Sequence, residues 1–128
     1  ADDRKLYETV ADKVAEWGKP LVGQHGYSSV GAVVGATYPA EAEALRKRMP
    51  HTFFLVPGYG AQGADADDIA VNFDGRGLGG VVNSSRGILL AWKKEAYANL
   101  SAPKAARQAA IDMRDDIASA LKRRGIDF

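Results

Sequence analysis

The sequence predicts an α/β fold, a parallel sheet of about three strands with flanking helices. Two observations carry this. Short apolar runs rich in valine, phenylalanine and small residues alternate with segments of helical spacing, and strand–helix alternation of this kind builds a parallel sheet through right-handed crossovers. The runs also lack the polar alternation of a strand with one wet face, so each reads as buried on both sides.

Leu6, Val10, Val14 and Trp17 fall on one helix face across residues 3–17, with Asp2 or Asp3 placed to cap the helix and Gly18 and Pro20 to end it. Trp17 continues that stripe and is expected in the core. Residues 30–36 (VGAVVGA) form the first strand. Tyr38-Pro39 opens the next helix, because proline suits the first helical position. Glu41 and Glu43 near its start and Arg46, Lys47 and Arg48 at its end match the helix dipole.

Residues 53–56 (FFLV) form the second strand, followed by a glycine-rich turn and a short helix over 65–73 that uses Ile69 and Phe73. Residues 74–80 read as a flexible connector, 81–83 as the third strand and 84–87 (SSRG) as a polar turn. An apolar stretch over 88–92 ends in Trp92, which is expected to pack against a neighbouring helix. Pro103 opens the last helix, where Ala106, Ala110, Met113, Ile117 and Leu121 form a stripe that stops at Gly125. Neither a low-complexity tract nor a linker divides residues 1–128, which read as a single segment.

The 128 residues are 46% apolar and 26% charged, with no cysteine and a formal net charge of +1. Disulfides, thiolate metal sites and cysteine nucleophiles are thereby excluded, and His25 and His51 are too few for a histidine-rich metal centre. The near-neutral balance, without a basic stripe or interleaved aromatics, argues against nucleic-acid and anionic-membrane partners. No run approaches the roughly 20 apolar residues of a membrane helix, and no leader pattern is seen, so a cytoplasmic placement is expected. Ala1 opens the chain without an initiator methionine and residues 2–5 run straight into a helical pattern. The expectation is a sequence entered partway through a domain.

The strongest local signal is residues 57–63, Pro-Gly-Tyr-Gly-Ala-Gln-Gly, between the second strand and its helix. Gly58, Gly60 and Gly63 complete a G-x-G-x-x-G pattern. Such glycines let backbone N–H groups approach an anion, and the helix start that follows adds a favourable dipole. A ligand-free strand-to-helix turn explains the same residues about as well. A dinucleotide site also needs a carboxylate about 20 residues further on; that place is held by Asn83, so a nicotinamide oxidoreductase is a third reading. A P-loop fails, since no Gly-Lys-Ser/Thr follows.

The second signal is residues 83–87, Asn-Ser-Ser-Arg-Gly, at the carboxyl end of the third strand. Ligands gather at the carboxyl ends of parallel strands, and Arg86 offers a fixed fork of donors that fits a phosphate. Taken singly, an arginine is more often paired with a surface carboxylate, but two anion-type turns on adjacent strand ends favour a site. Ser84 and Ser85 lack the paired histidine and acid of a hydrolase. Tyr59 is left open between covering a ligand and facing solvent. Together these are features of the last two turns of a (β/α)8 barrel, whose phosphate site is frequently built after strands seven and eight.

The runs GYSSVGAVVGATYPAE, FFLVPGYGAQG and VVNSSRGILLA resemble the carboxyl-terminal part of the orotidine 5′-phosphate decarboxylase family, in its second bacterial subfamily. The match follows the whole chain in order. It implies the carboxyl-terminal portion of a (β/α)8 TIM barrel, with 30–36, 53–56 and 81–83 as strands six, seven and eight. It further implies that Gln62 reaches from the phosphate toward the pyrimidine and that Pro57 lines the base pocket. Arg86 would clamp the phosphate with backbone help from Gly63 and Ser85, and Gly58 and Gly60 would shape the same loop. The ligand would be orotidine or uridine monophosphate, and no cofactor is implied.

The family's chemistry resides in an Asp-x-Lys-x-x-Asp motif on an earlier strand. That motif is absent from this sequence. Residues 3–8 imitate it but end in glutamate and open an amphipathic helix, and Asp12-Lys13 fails for the same reason. No catalytic residue is therefore expected here. The implied partners are the amino-terminal part of the same enzyme and a second copy in a homodimer. A small α/β module that binds phosphate or a nucleotide without catalysis is the alternative.

Overall fold

The computed structural model describes residues 3–60 and 63–128. Helix α1 (Leu6–Gly18) is opened by Lys5, whose backbone N–H donates to the Glu8 carboxylate at 3.1 Å, so Asp3 is not the cap. Asp2 lies outside the described residues. The helix packs on the sheet side through Ala11, Val14 and Ala15. Leu6, Val10 and Trp17, expected to face the core, are 79%, 50% and 60% exposed. Small residues allow close approach, and Leu6 and Val10 are left bordering an open groove beside Val33 and Leu45. Arg48 ties α1 to the next helix by ion pairs to Asp12 at 2.9 Å and Glu8 at 3.4 Å. The residues that imitate a catalytic motif are thus a helix start and its charged face.

Strand β1 (Ala32–Val33) leads into α2 (Pro39–Arg48), strand β2 (Phe54–Pro57) and α3 (Ala66–Ala70). Strand β3 (Gly80–Asn83) is followed by α4 (Ser85–Leu89), two 3-10 turns at Ala91–Lys93 and Glu95–Tyr97, and α5 (Ala102–Arg123). The strands pair in parallel in the order β1-β2-β3, aligning Val33 with Leu55 and Leu55 with Val81. Although β1 is short, its ladder continues through N–H donation from Val34 to Leu55 O at 3.0 Å and from Ala36 to Pro57 O at 3.3 Å. The polar turn expected at 84–87 is the cap and first turn of α4.

Side chains alternate between faces along a strand. Phe54 and Val56 are fully buried with Ile69, against a core that includes Ile117 and Leu121 of α5. On the opposite face Val33, Leu55 and Val81 form a row that is 70%, 42% and 50% exposed. The expectation of strands buried on both faces is corrected: the described helices cover one face only. The stripe on α5 is also shifted. Ala105, Ala109, Ile117, Ala120 and Leu121 are buried, while Ala106 and Ala110 are half-buried. Trp92 is 47% exposed, not packed away.

At the amino ends of the strands the buried guanidinium of Arg46 gathers the chain. It donates to the carbonyls of Thr52 at 2.7 Å, Gly79 at 3.0 Å, Asn72 at 3.3 Å and Met49. It also lies 3.9 Å from the centre of the Phe54 ring. Burial draws its pKa down, and neighbouring Tyr27 and Asp74 act in the opposite direction.

Candidate functional site

The parallel register sets Pro57 beside Asn83, one rung above the exposed row, at the carboxyl ends of β2 and β3. The two loops that follow therefore meet. Pro57, Gly58 and Tyr59 from one and Asn83, Ser84, Ser85 and Arg86 from the other enclose a cavity of about 190 Å³. Four of the seven expected site residues, Pro57, Gly58, Ser85 and Arg86, line it. Gln62 lies outside the described residues.

The glycine loop is closed on itself. Gly60 N–H donates to Ala64 O at 2.9 Å and Gly63 N–H to Gly60 O at 3.0 Å. Gly58, Gly60 and Gly63 have φ of 108°, 72° and 86°, a region that side chains disfavour. Gly63 does not line the cavity and its donor is engaged within the loop, so the backbone help expected from it is not available in this arrangement. Gly60 instead borders a neighbouring cleft.

The helix start expected to favour an anion after the glycine loop, that of α3, is already satisfied. Asp68 N–H donates to the Asp65 carboxylate at 2.9 Å and Asp65 N–H to the Asp68 carboxylate at 3.1 Å. Two carboxylates there repel an anion. The donors facing the cavity come from α4, whose first N–H groups have no partner within the helix and whose cap residue makes no side-chain bond to them. Its exposed Arg86 has no hydrogen-bond or ion-pair partner among the described residues.

Ser84 is buried and its hydroxyl donates to Tyr59 O at 3.3 Å, joining the two loops. Among the described residues its hydroxyl bonds to no histidine. Tyr59 neither covers the cavity freely nor faces solvent: its hydroxyl donates to Asp116 of α5 at 2.7 Å. Sequence spacing gives no sign of this bond, which spans 57 residues. Among the described residues no group of three or more His, Cys, Asp or Glu could hold a metal ion, and no helix is long and apolar enough to cross a membrane.

A doubly wound dinucleotide fold covers both faces of its sheet with helices. Here consecutive strands are neighbours, one face is bare, and the polar loops rise at the carboxyl ends beside it. This is part of a (β/α)8 barrel.

The particular kinship follows from comparison with known proteins. The chain is homologous to orotidine 5′-phosphate decarboxylases. It is 51% identical over 113 residues to that of Clostridium kluyveri, covering 88% of this chain and 38% of that protein. With that of Clostridium tetani it shares 50% over 120 residues, covering 94% and 41%. The solved OMP decarboxylase of Leishmania donovani matches with a TM-score of 0.64 at 32% identity, over 94% of this chain and 40% of that one. The chain thus spans about two fifths of the length of the curated relatives it matches. No family model matches it.

Proposed function

We propose that this chain is the phosphate-binding, carboxyl-terminal part of an orotidine 5′-phosphate decarboxylase, an enzyme that converts orotidine monophosphate to uridine monophosphate and carbon dioxide. The observation that carries this is the unpartnered Arg86 between two loops at adjacent strand ends, in a chain half identical to decarboxylases. The names of those relatives also favour catalysis over a free-standing binding module.

In this reading Arg86 forks onto the phosphate, with the N–H groups of Ser85 and its neighbours as further donors. Pro57 lines the base pocket, Gly58 keeps the loop close to the ligand, and Gln62 spans from phosphate to pyrimidine. Decarboxylation itself belongs to the lysine and carboxylates of the Asp-x-Lys-x-x-Asp motif on an earlier strand, where the lysine protonates the carbanion left behind. The residues here contribute binding energy from the phosphate, remote from the reacting carbon, and that energy is usable in the transition state.

The bare row Val33, Leu55 and Val81 supports the corresponding partner: in a closed barrel it faces the side chains of the amino-terminal strands. A homodimer, a cytoplasmic location and the lack of a nucleic-acid partner belong to the same proposal. The test is Arg86→Ala in the full-length enzyme. A hydrogen bond to a charged group contributes about 1.5–3 kcal/mol, so kcat/KM for orotidine monophosphate is expected to fall at least tenfold while that for orotidine holds. Equal losses on both substrates refute a phosphate role for Arg86.

A further inference from the structure

Tyr59 stands between two glycines of positive φ, Gly58 and Gly60, and is the one residue of that stretch with a side chain able to anchor it. The loop's own bonds among the described residues, Gly60 to Ala64 and Gly63 to Gly60, close it on itself. Attachment comes from Tyr59 at both ends of the residue. Its carbonyl accepts from Ser84 at 3.3 Å and its hydroxyl donates to Asp116 at 2.7 Å.

Both anchors are firm. Ser84 is buried at the cap of α4, and Asp116 adjoins Ile117, a core residue of the longest helix. The Tyr59 ring packs against the same core.

We infer that Tyr59 is a positioning residue for the phosphate site: latched to Asp116 and Ser84, it holds the Pro57–Gly58 end of the glycine loop against the Ser85–Arg86 turn and so sets the preference for phosphorylated over unphosphorylated ligands. The inference rests on the phosphate reading above and adds to it a residue that acts by holding the loop in place. Burial and the adjacent carboxylate of Asp116 push the Tyr59 phenol up, which keeps the hydroxyl a donor across the neutral range. A displacement of about 1 Å in a positioning element is enough to cost a large factor in rate.

The molecule supplies a matched control. Tyr97 donates to Asp112 at 2.6 Å, the same kind of bond one turn earlier on α5 in the cleft that Tyr59 and Gly60 also border, and its hydroxyl bonds to no described residue of the glycine loop.

The experiment is titration of the full-length enzyme with uridine monophosphate and with uridine, for the wild type and for Tyr59→Phe, Asp116→Ala, the double variant, Tyr97→Phe and Arg86→Ala, with a thermal midpoint for each. Tyr59→Phe keeps the ring and its packing, and Asp116→Ala alters an exposed position, so each variant backs up the other if one folds poorly. The expected result is about tenfold weaker binding of uridine monophosphate in Tyr59→Phe and Asp116→Ala, with no further loss in the double variant and uridine binding unchanged. Tyr97→Phe is expected to retain the wild-type ratio.

A wild-type ratio in Tyr59→Phe and Asp116→Ala, with the ratio lost in Arg86→Ala, overturns the latch and leaves the phosphate site standing. The same loss in Tyr97→Phe also overturns it, since the effect then belongs to the whole cleft. A wild-type ratio in Arg86→Ala removes the phosphate reading and the latch with it.

Discussion

Pro57 on the last rung of β2 stands opposite Asn83 on the last rung of β3. Because parallel strands in this register end level, the chain has no choice but to bring the two following loops together. The cavity between them is a consequence of strand length and register, and its chemistry a consequence of which residues each loop then offers.

The junction depends on Gly87. A methyl group there would overlap the Ser84 hydroxyl and displace it from the Tyr59 carbonyl. Alanine ordinarily improves a helix over glycine by about 1 kcal/mol, so the sign is the test. Gly87→Ala is expected to lose about 1–2 kcal/mol in urea unfolding through overpacking and the lost bond. Unchanged or increased stability would show that Ser84 can move away freely.

Arg46 should be more costly to remove than its neighbours on α2. Arg46→Met leaves the carbonyls of Thr52 and Asn72 without the donor they now have, while those of Met49 and Gly79 keep the N–H groups of Thr52 and Phe54. With about 1–3 kcal/mol for each buried group left unsatisfied, a loss of at least about 2 kcal/mol is expected by denaturant titration. Arg46→Lys should rescue little, because a compact ammonium cannot lie flat on Phe54 and reach carbonyls on several sides.

Acid stability should depend on Asp74. Burial alone would raise its carboxyl, but donation from the Tyr27 hydroxyl, from the Leu78 and Arg76 N–H groups and from the Arg76 guanidinium outweighs this and holds the pKa at about 2. A folded-state pKa below the unfolded value contributes stability that is complete above the unfolded pKa, near 4, and lost as pH falls through the folded one. Asp74→Asn is therefore expected to flatten the loss of stability between about pH 4 and pH 2 by on the order of 1 kcal/mol. Parallel acid-unfolding curves for the two proteins would contradict this.

Expressed as these 128 residues alone, the polypeptide should associate and show no decarboxylation. Val33, Leu55 and Val81 offer an apolar row to water, and β1 and β3 each leave an edge with unpaired N–H and C=O groups among the described residues. Sedimentation velocity should show dimers or larger species, reduced by Leu55→Lys, and mixing with the amino-terminal segment should restore activity. A stable monomer with full activity would refute the division of labour proposed here.

Local signals in the sequence determined the elements. Pro39 at a helix start, the opposed charges of Glu41 and Arg46 to Arg48, the valine-rich runs and the glycines of residues 57–63 each act within a few residues, through fixed φ, the helix dipole or freedom at positive φ. Order along the chain then restricted the topology to parallel strands, and with it the meeting of the two loops.

Which way each element faces was decided only by tertiary packing. Leu6, Val10 and Trp17 have the spacing of a buried stripe yet stand exposed, because spacing fixes only that residues share a face, and the face that packs is the one carrying Ala11. The strands look buried on both sides in sequence, but a face is buried only by what lies across it, and no described element lies across Leu55. The bond from Tyr59 to Asp116 is invisible to any local rule, since 57 residues separate them and only the docking of α5 against the core brings a carboxylate to that hydroxyl.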